Sequence, residues 1–295
     1  MIHILMVLLA WMSAIGLRLR WQKQVGSWAD RWQRALVAFL LPPLLLMSTA
    51  LSLLWMGPMG QMVWGWQGWL TYGWAIAYLI VLVFLAIQLF TEAGRTALQI
   101  RQYPQRDLGI LDCAGQPQQG RWIDSQLPFI AQVGLWQPQL IFSQGLLETL
   151  DRAHLAAVLR HEEAHRHYGD TLWFFYLGWL RRCSFWLPQT EVLWQELLLL
   201  REMRADRYAA MQVDPLLLAE ALFAVVSAPI ESALGLKISA EFGAALSDEA
   251  SVDRLSERID QLLNLPAIEQ STNRNWLWII PVLVPMLAIP FHHTL

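Results

Sequence analysis

His161-Glu162-Glu163-Ala164-His165 has the form H-E-x-x-H. On a helix, residues four apart lie on one face, one turn from each other. Two imidazoles so placed can grip one cation, and zinc suits them best. Glu162, beside the first ligand, is positioned to take a proton from a water next to the ion. A closed structural zinc site has no use for that glutamate, so the pattern points to hydrolysis. The bland alternative is an accidental match on a solvated helix. The motif therefore makes two demands on the rest of the chain: a helix around 161–165 and a further ligand.

The helix is well signalled. Asp151 is a natural N-cap, and Gly169 a natural stop shortly after His167. Leu155, Val158 and Leu159 form an apolar inner face that carries His161 and His165 toward a core. Upstream, short extended pieces at 108–113, 121–123, 128–133 and 139–142 alternate with Gly115, Gly120, Pro128, Gly134 and Pro138, which predicts a small sheet. The stretch 139–142 is either an edge strand able to pair with an extended peptide or an ordinary core strand. Downstream, helices are expected over 191–211, over 215–228 up to Pro229, and over 247–264, where Val252, Leu255, Ile259 and Leu262 share a face.

A catalytic zinc takes three protein ligands and keeps one position open. No histidine follows His167 until His292, so the third ligand must be a carboxylate. Glu202 in Arg201-Glu202-Met203-Arg204-Ala205-Asp206 is the best candidate, because Asp206 lies four residues on, on the same helix face. Asp206 can accept the free N–H of a ligand histidine, assigned here to His161, and so fix its tautomer. The bland reading of Glu202 is a solvated carboxylate paired with Arg201 or Arg204. Glu196 is the second choice of ligand. Glu163 faces away from the metal. His154 and His167 lie off the ligand face. Asp170 either supports a ligand or packs the next helix.

Composition sets the surroundings. Hydrophobic residues make up 56% of the 295 and charged residues 15%, with 17 tryptophans, against about a quarter charged in soluble chains. The net charge of −3 argues against a nucleic-acid partner. Cys113 and Cys183 form no disulfide framework and no cysteine-based zinc pattern. Residues 1–17 are apolar, and basic residues follow them (Arg18, Arg20, Lys23, Arg31, Arg34), as for an uncleaved span. Residues 35–91 hold no charge at all, room for spans near 35–57 and 69–91, with Pro42-Pro43 kinking the first and Trp55, Trp64, Trp66 and Trp69 at the interface. A last apolar run, 276–291, is interrupted by Pro281, Pro285 and Pro290. The basic residues flanking these spans put 92–275 on the cytoplasmic side and His292-His293 across the bilayer from the motif. Residues 92–107 continue the third helix. The apolar run 171–187 is split by Arg181-Arg182 and reads as an amphipathic helix in the interface. Ligands to one ion share one side of the membrane, and the 36 residues 166–201 are too few for two full helical spans of about 20 each. The expectation is an α-helical membrane protein: an N-terminal membrane region over 1–91, a mainly α domain with a small sheet over 92–270, and a C-terminal span over 276–291.

Several stretches together carry a family resemblance: Gln132-Val133-Gly134-Leu135-Trp136-Gln137-Pro138, Ser143-Gln144-Gly145-Leu146-Leu147-Glu148-Thr149-Leu150, Val158 to His165, Asp170, Trp186-Leu187-Pro188 and Arg201 to Asp206. The chain resembles membrane metallopeptidases of the BlaR/MecR type, the beta-lactam-sensor and antirepressor family. More distantly it is similar to the CAAX prenyl endopeptidases and heat-shock membrane proteases. The resemblance covers roughly 105–265. It implies a gluzincin-like zinc endopeptidase in a bacterial inner membrane, with its site facing the cytoplasm. His161, His165 and Glu202 would be ligands, Glu162 the general base and Asp206 their support. The expected partners are a protein or peptide substrate, membrane lipid and a separate sensor or regulator. Beta-lactam sensors carry a large extracellular penicillin-binding domain after the last span, and this chain stops at Leu295, so antibiotic sensing by this chain alone is not implied. The rival readings are a non-catalytic membrane scaffold that keeps the metal fold, and a transporter. The transporter is disfavoured by the scarcity of ionisable residues in the spans.

Overall fold

The computed structural model of the protein describes residues 2–22, 27–59, 65–111, 117–226, 250–264 and 276–290. It divides into two compact units: Met1–Gln88 with Trp179–Leu197 and Glu269–Leu295, and Leu89–Gly178 with Leu198–Ile268.

The first unit contains α1 (Ile2–Leu19), α2 (Trp28–Met56) and most of α3 (Trp66–Arg101). α2 begins at Ser27, whose hydroxyl accepts from the Asp30 amide, with Asp30 complementing the positive end of the helix. It ends at Gly57, where φ is 80°. Pro42 and Pro43 sit inside it. Lacking N–H groups, they leave the carbonyls one turn back, at Ala38 and Phe39, without their helical donors. Arg18 supplies one replacement: its Nη2 donates to the Phe39 carbonyl at 3.2 Å, and its guanidinium lies 5.2 Å from the centre of the Phe39 ring. This corrects the reading of Arg18 as part of a basic loop. It is a wholly buried residue of α1, held there because an orphaned carbonyl in apolar surroundings is costly. Ser48, Thr49 and Ser52 satisfy their hydroxyls on carbonyls three or four residues back in the same helix.

Residues 179–197, expected in the same domain as the motif, pack instead in the first unit. Leu187 joins Ala10, Ala14 and Leu46. The Trp194 ring lies 6.2 Å from that of Phe39. Glu196 pairs with Arg31 at 2.7 Å. Among the described residues, α2 and α3 are the two helices long and apolar enough to cross a membrane. The run 276–290 is broken into a 3-10 turn (Trp276–Ile279), a single α turn (Ile280–Leu283) and a second 3-10 turn (Val284–Ala288). The prolines impose this, so the stretch is not a continuous α-helix. Lys23, Trp64, Cys113, Pro229, residues 247–249, Phe291, His292 and His293 lie outside the described residues.

The second unit begins with the end of α3. That helix stops at Arg101, six residues earlier than expected, because Pro104 disfavours helical backbone just before it. Four strands follow: β1 (Gln105–Leu111), β2 (Pro117–Ile123), β3 (Ile130–Val133) and β4 (Gln139–Ser143). Their order in the sheet is β1-β2-β4-β3, with β2 and β4 parallel and the outer pairs antiparallel. β4 is therefore interior. Of the two readings of 139–142, the core strand is the correct one: Ile141 and Phe142 are fully buried, and the edge beyond β4 is β3.

Beyond the sheet come α4 (Gln144–Thr149), α5 (Arg152–Tyr168), α6 (Asp170–Cys183), α7 (Thr190–Ala210), α8 (Pro215–Val226) and α9 (Ala250–Leu263). α3, α6 and α7 contribute residues to both units. α5 lays Leu155, Val158 and Leu159 on Leu140, Phe142 and Leu146 of the sheet side and on Ala221 of α8. α9 packs Leu255 and Leu262 against Ala209, Leu218 and Leu222. At 14 residues α6 is about 21 Å long, well short of the roughly 30 Å apolar layer of a bilayer.

Candidate metal centre

Two helices build the site. Asp151 caps α5 by accepting from the Ala153 and His154 amides, each at 2.9 Å. Gly169 ends α5 in the left-handed conformation, φ 64°, where a side chain would be strained. The turn so formed starts α6 at Asp170 and brings that carboxylate back to His165. Glu202 and Asp206 come from α7, one turn apart.

His161, His165 and Glu202 converge. Each offers a ligand atom, and these atoms all lie within 4.8 Å of one another. The two Nε2 atoms are 3.2 Å apart. Glu202 reaches the Nε2 of His161 at 3.3 Å and that of His165 at 3.7 Å. Ligands about 2.05 Å from a tetrahedral zinc are about 3.3 Å from each other. The outward nitrogens are occupied by acids. His165 Nδ1 is hydrogen-bonded to Asp170 Oδ2 at 2.8 Å. Asp206 Oδ1 lies 2.8 Å from His161 Nδ1, a charge contact outside good donor alignment. Carboxylates against both Nδ1 positions favour the proton there and leave the Nε2 lone pairs turned inward. Two lone pairs and a carboxylate then face one point, and only protons or a cation can occupy it without repulsion. The donor set fits a borderline-soft divalent cation such as zinc.

The electrostatics agree. Burial works against charging His165, yet Glu202 and Asp170 push its pKa up to about 10. Burial likewise opposes charge on His161, and Asp206 and Glu202 overcome it, so its pKa is raised. Glu202 is resisted by burial but held well below the ordinary carboxylate range by Arg201 and by the two histidines. Asp206 is also buried, and Arg258 with His161 keeps its pKa lowered.

Arg258 was not foreseen. It reaches in from α9 and binds Asp206 with two prongs, Nε at 2.7 Å and Nη2 at 2.8 Å, while its Nη1 is 3.6 Å from Glu202. Arg204 plays the matching part for Asp170, to which it is ion-paired. Each histidine is thus backed by an aspartate and each aspartate by an arginine: His161–Asp206–Arg258 and His165–Asp170–Arg204. Asp170 had a usable signal in the sequence, an acid directly after the glycine that ends the motif helix. Arg258 had none, being one arginine among many and 52 residues from its partner.

The other candidates fall into place. Glu162 is 7% exposed, and its Oε2 is a buried oxygen without a hydrogen-bond partner. It lines a small cavity with Gln132, Leu140 and Leu159. Glu163 lines the same cavity and is held by Arg160 at 2.8 Å. Glu196 does not join the cluster, since Arg31 takes its carboxylate. His154 pairs with Asp151 and Glu220, and His167 stacks on Tyr208. The bland partner of Glu202 is real as well: Arg201 donates to its Oε1 at 2.7 Å. The two roles are compatible because Oε2, which Arg201 does not hold, lies 3.3 Å from His161 Nε2.

No family model, curated protein or solved structure matches the chain.

Proposed function

We propose that the protein is an integral membrane zinc endopeptidase that hydrolyses peptide bonds of a regulatory or membrane protein on the cytoplasmic side. The observation that carries the reading is the inward convergence of His161, His165 and Glu202, with Glu162, whose buried Oε2 has no hydrogen-bond partner, next in sequence to the first histidine. A closed structural zinc site has no use for a carboxylate at that position.

Zinc bound there would polarise the scissile carbonyl and bring the pKa of water down toward about 7. Glu162 then accepts a proton from the attacking water and returns it to the leaving amine. Asp206 and Asp170 hold the imidazoles so that both Nε2 atoms face inward, and Arg258 and Arg204 hold the aspartates. The membrane part of the reading rests on α2 and α3. On α3, Ile80, Val81, Val83, Phe84 and Ile87 are each more than half exposed, and a water-facing surface of that kind on both sides of a helix would be unfavourable. Cytoplasmic placement follows from the basic flanks.

The test is Glu162→Gln. Proteins that accumulate in cells carrying this variant, compared with the native chain, should include the substrate, while the purified variant still binds one zinc. Unchanged proteolysis would sink the mechanism. Loss of zinc from a folded variant would show that Glu162 is a ligand instead. A reporter fused after Leu150 should read as cytoplasmic, and a periplasmic readout would overturn the assigned side.

A further inference from the structure

The first unit contains a groove of about 450 Å³ at the end of α1 and along the first half of α2. Its lining changes character along α2. Asp30, Gln33 and Arg34 come first, followed by Val37, Ala38, Leu41 and Pro42. At 1.5 Å per residue, Arg34 and Leu41 are about 10 Å apart along the axis. α1 supplies Leu17, and the chain just beyond that helix supplies Arg20 and Trp21. The groove is therefore cationic at one end and apolar at the other. One acid lies at the cationic end, Asp30, whose Oδ2 accepts from the Ser27 hydroxyl at 3.0 Å. Two arginines outweigh it. Trp21 provides an aromatic body with a polar N–H, the kind of side chain that settles at a membrane–water boundary.

An amphiphile with an anionic head matches that gradient. We propose that this groove is a binding site for an anionic phospholipid, with the phosphodiester on Arg20 and Arg34 and one acyl chain along Val37, Ala38, Leu41 and Pro42. The proposal rests on α2 being a membrane helix, as argued above, and is independent of the metal chemistry. Arginine suits the task because its planar fork offers paired donors to phosphate oxygens. A zwitterionic lipid carries its own cation and gains less from the pair. Free phosphate would use the arginines but leave the apolar half of the groove unfilled.

The experiment uses the full chain, purified in detergent and observed intact by native mass spectrometry. The probes are phosphatidylglycerol, phosphatidylcholine of the same acyl composition, and inorganic phosphate. Phosphatidylglycerol should be retained in preference to phosphatidylcholine. Arg20→Gln with Arg34→Gln should weaken retention about 30-fold, as expected for two basic side chains at an anionic headgroup. Arg20→Lys with Arg34→Lys should recover most of it. Ala38→Trp fills the apolar end while sparing both arginines, and should also expel the lipid. Unchanged helical circular dichroism would show that each variant is folded. Equal retention of the two lipids, or no effect of the paired glutamine substitutions, would overturn the proposal. Displacement of phosphatidylglycerol by millimolar phosphate would overturn it too, by showing a simple anion site. Alkaline extraction of membranes separates the two readings: a chain washed off the membrane refutes the membrane assignment, whereas a chain that resists washing yet binds no phosphatidylglycerol refutes the groove alone.

Discussion

Asp206→Asn should separate what the site needs for folding from what it needs for metal. The carboxylate is 2% exposed. It takes two donors from Arg258, at 2.7 and 2.8 Å, and lies 2.8 Å from His161 Nδ1. Asparagine keeps the shape and one acceptor, but removes the charge and turns an N–H₂ toward donors. The buried guanidinium keeps Glu202, 3.6 Å from its Nη1, but loses its two-pronged partner, which costs up to about 3–5 kcal/mol. Separately, losing the carboxylate behind a ligand histidine weakens metal binding about 10–100-fold, or about 1.4–2.7 kcal/mol. The folding term is the larger, so the variant alone cannot tell the two apart. Adding Arg258→Met removes the stranded charge. The double variant should regain at least about 2 kcal/mol, since replacing a buried ion pair by neutral groups is often harmless, while the zinc deficit should persist. Thermal unfolding followed by tryptophan fluorescence reads the first quantity, and competition with a chromogenic chelator reads the second. The reasoning fails if Asp206→Asn leaves the zinc Kd within twofold, or if the double variant is no more stable than the single one.

Glu196→Gln and Glu202→Gln should behave oppositely. The first breaks the buried Arg31 pair and lowers stability by about 3–5 kcal/mol without altering zinc stoichiometry. The second should abolish tight zinc binding, and equal zinc content in the two proteins would refute the choice of third ligand. Gly145→Ala should destabilise the second unit by about 1–3 kcal/mol or more, because the added carbon would be driven into the Gln126 carbonyl; a wild-type melting temperature would contradict that packing. His154 offers a pH test. Asp151, then Glu220, raise its pKa above the ordinary 6.5. The protonated form is thus favoured in the folded chain, and the stability it adds is present below about pH 6.5 and lost as pH rises through the folded value. Glu220→Gln should lower the pKa of His154 seen by NMR, and an unmoved titration would refute the pairing.

Much of the second unit was legible because its signals are local. Asp151 and Gly169 mark the ends of the motif helix by backbone chemistry alone, and the three apolar residues before His161 fix which face is buried. The strands announced themselves through glycine and proline, yet their order did not. Interior and edge strands of four or five residues read alike, and only the pairing of β4 with both β2 and β3 decides which is which. The N-terminal half of α7 groups with the first unit, which the sequence does not signal. A continuous helix gives no internal sign that Trp194 and Glu196 pack with Phe39 and Arg31 while Glu202 converges with His161 and His165.

Spacing within a helix singled out His161 with His165, and Glu202 with Asp206, because helical periodicity turns sequence separation directly into direction. The tertiary structure alone decided the remainder. It showed that Asp170 folds back on His165, that Arg258 crosses from α9 to clamp Asp206, and that Arg31 removes Glu196 from competition. It also showed that Arg18 is buried to serve a carbonyl freed by proline. These are contacts between charged groups brought together from separate elements. Their strength depends on distance and on the exclusion of water, and neither is written in the order of residues along the chain.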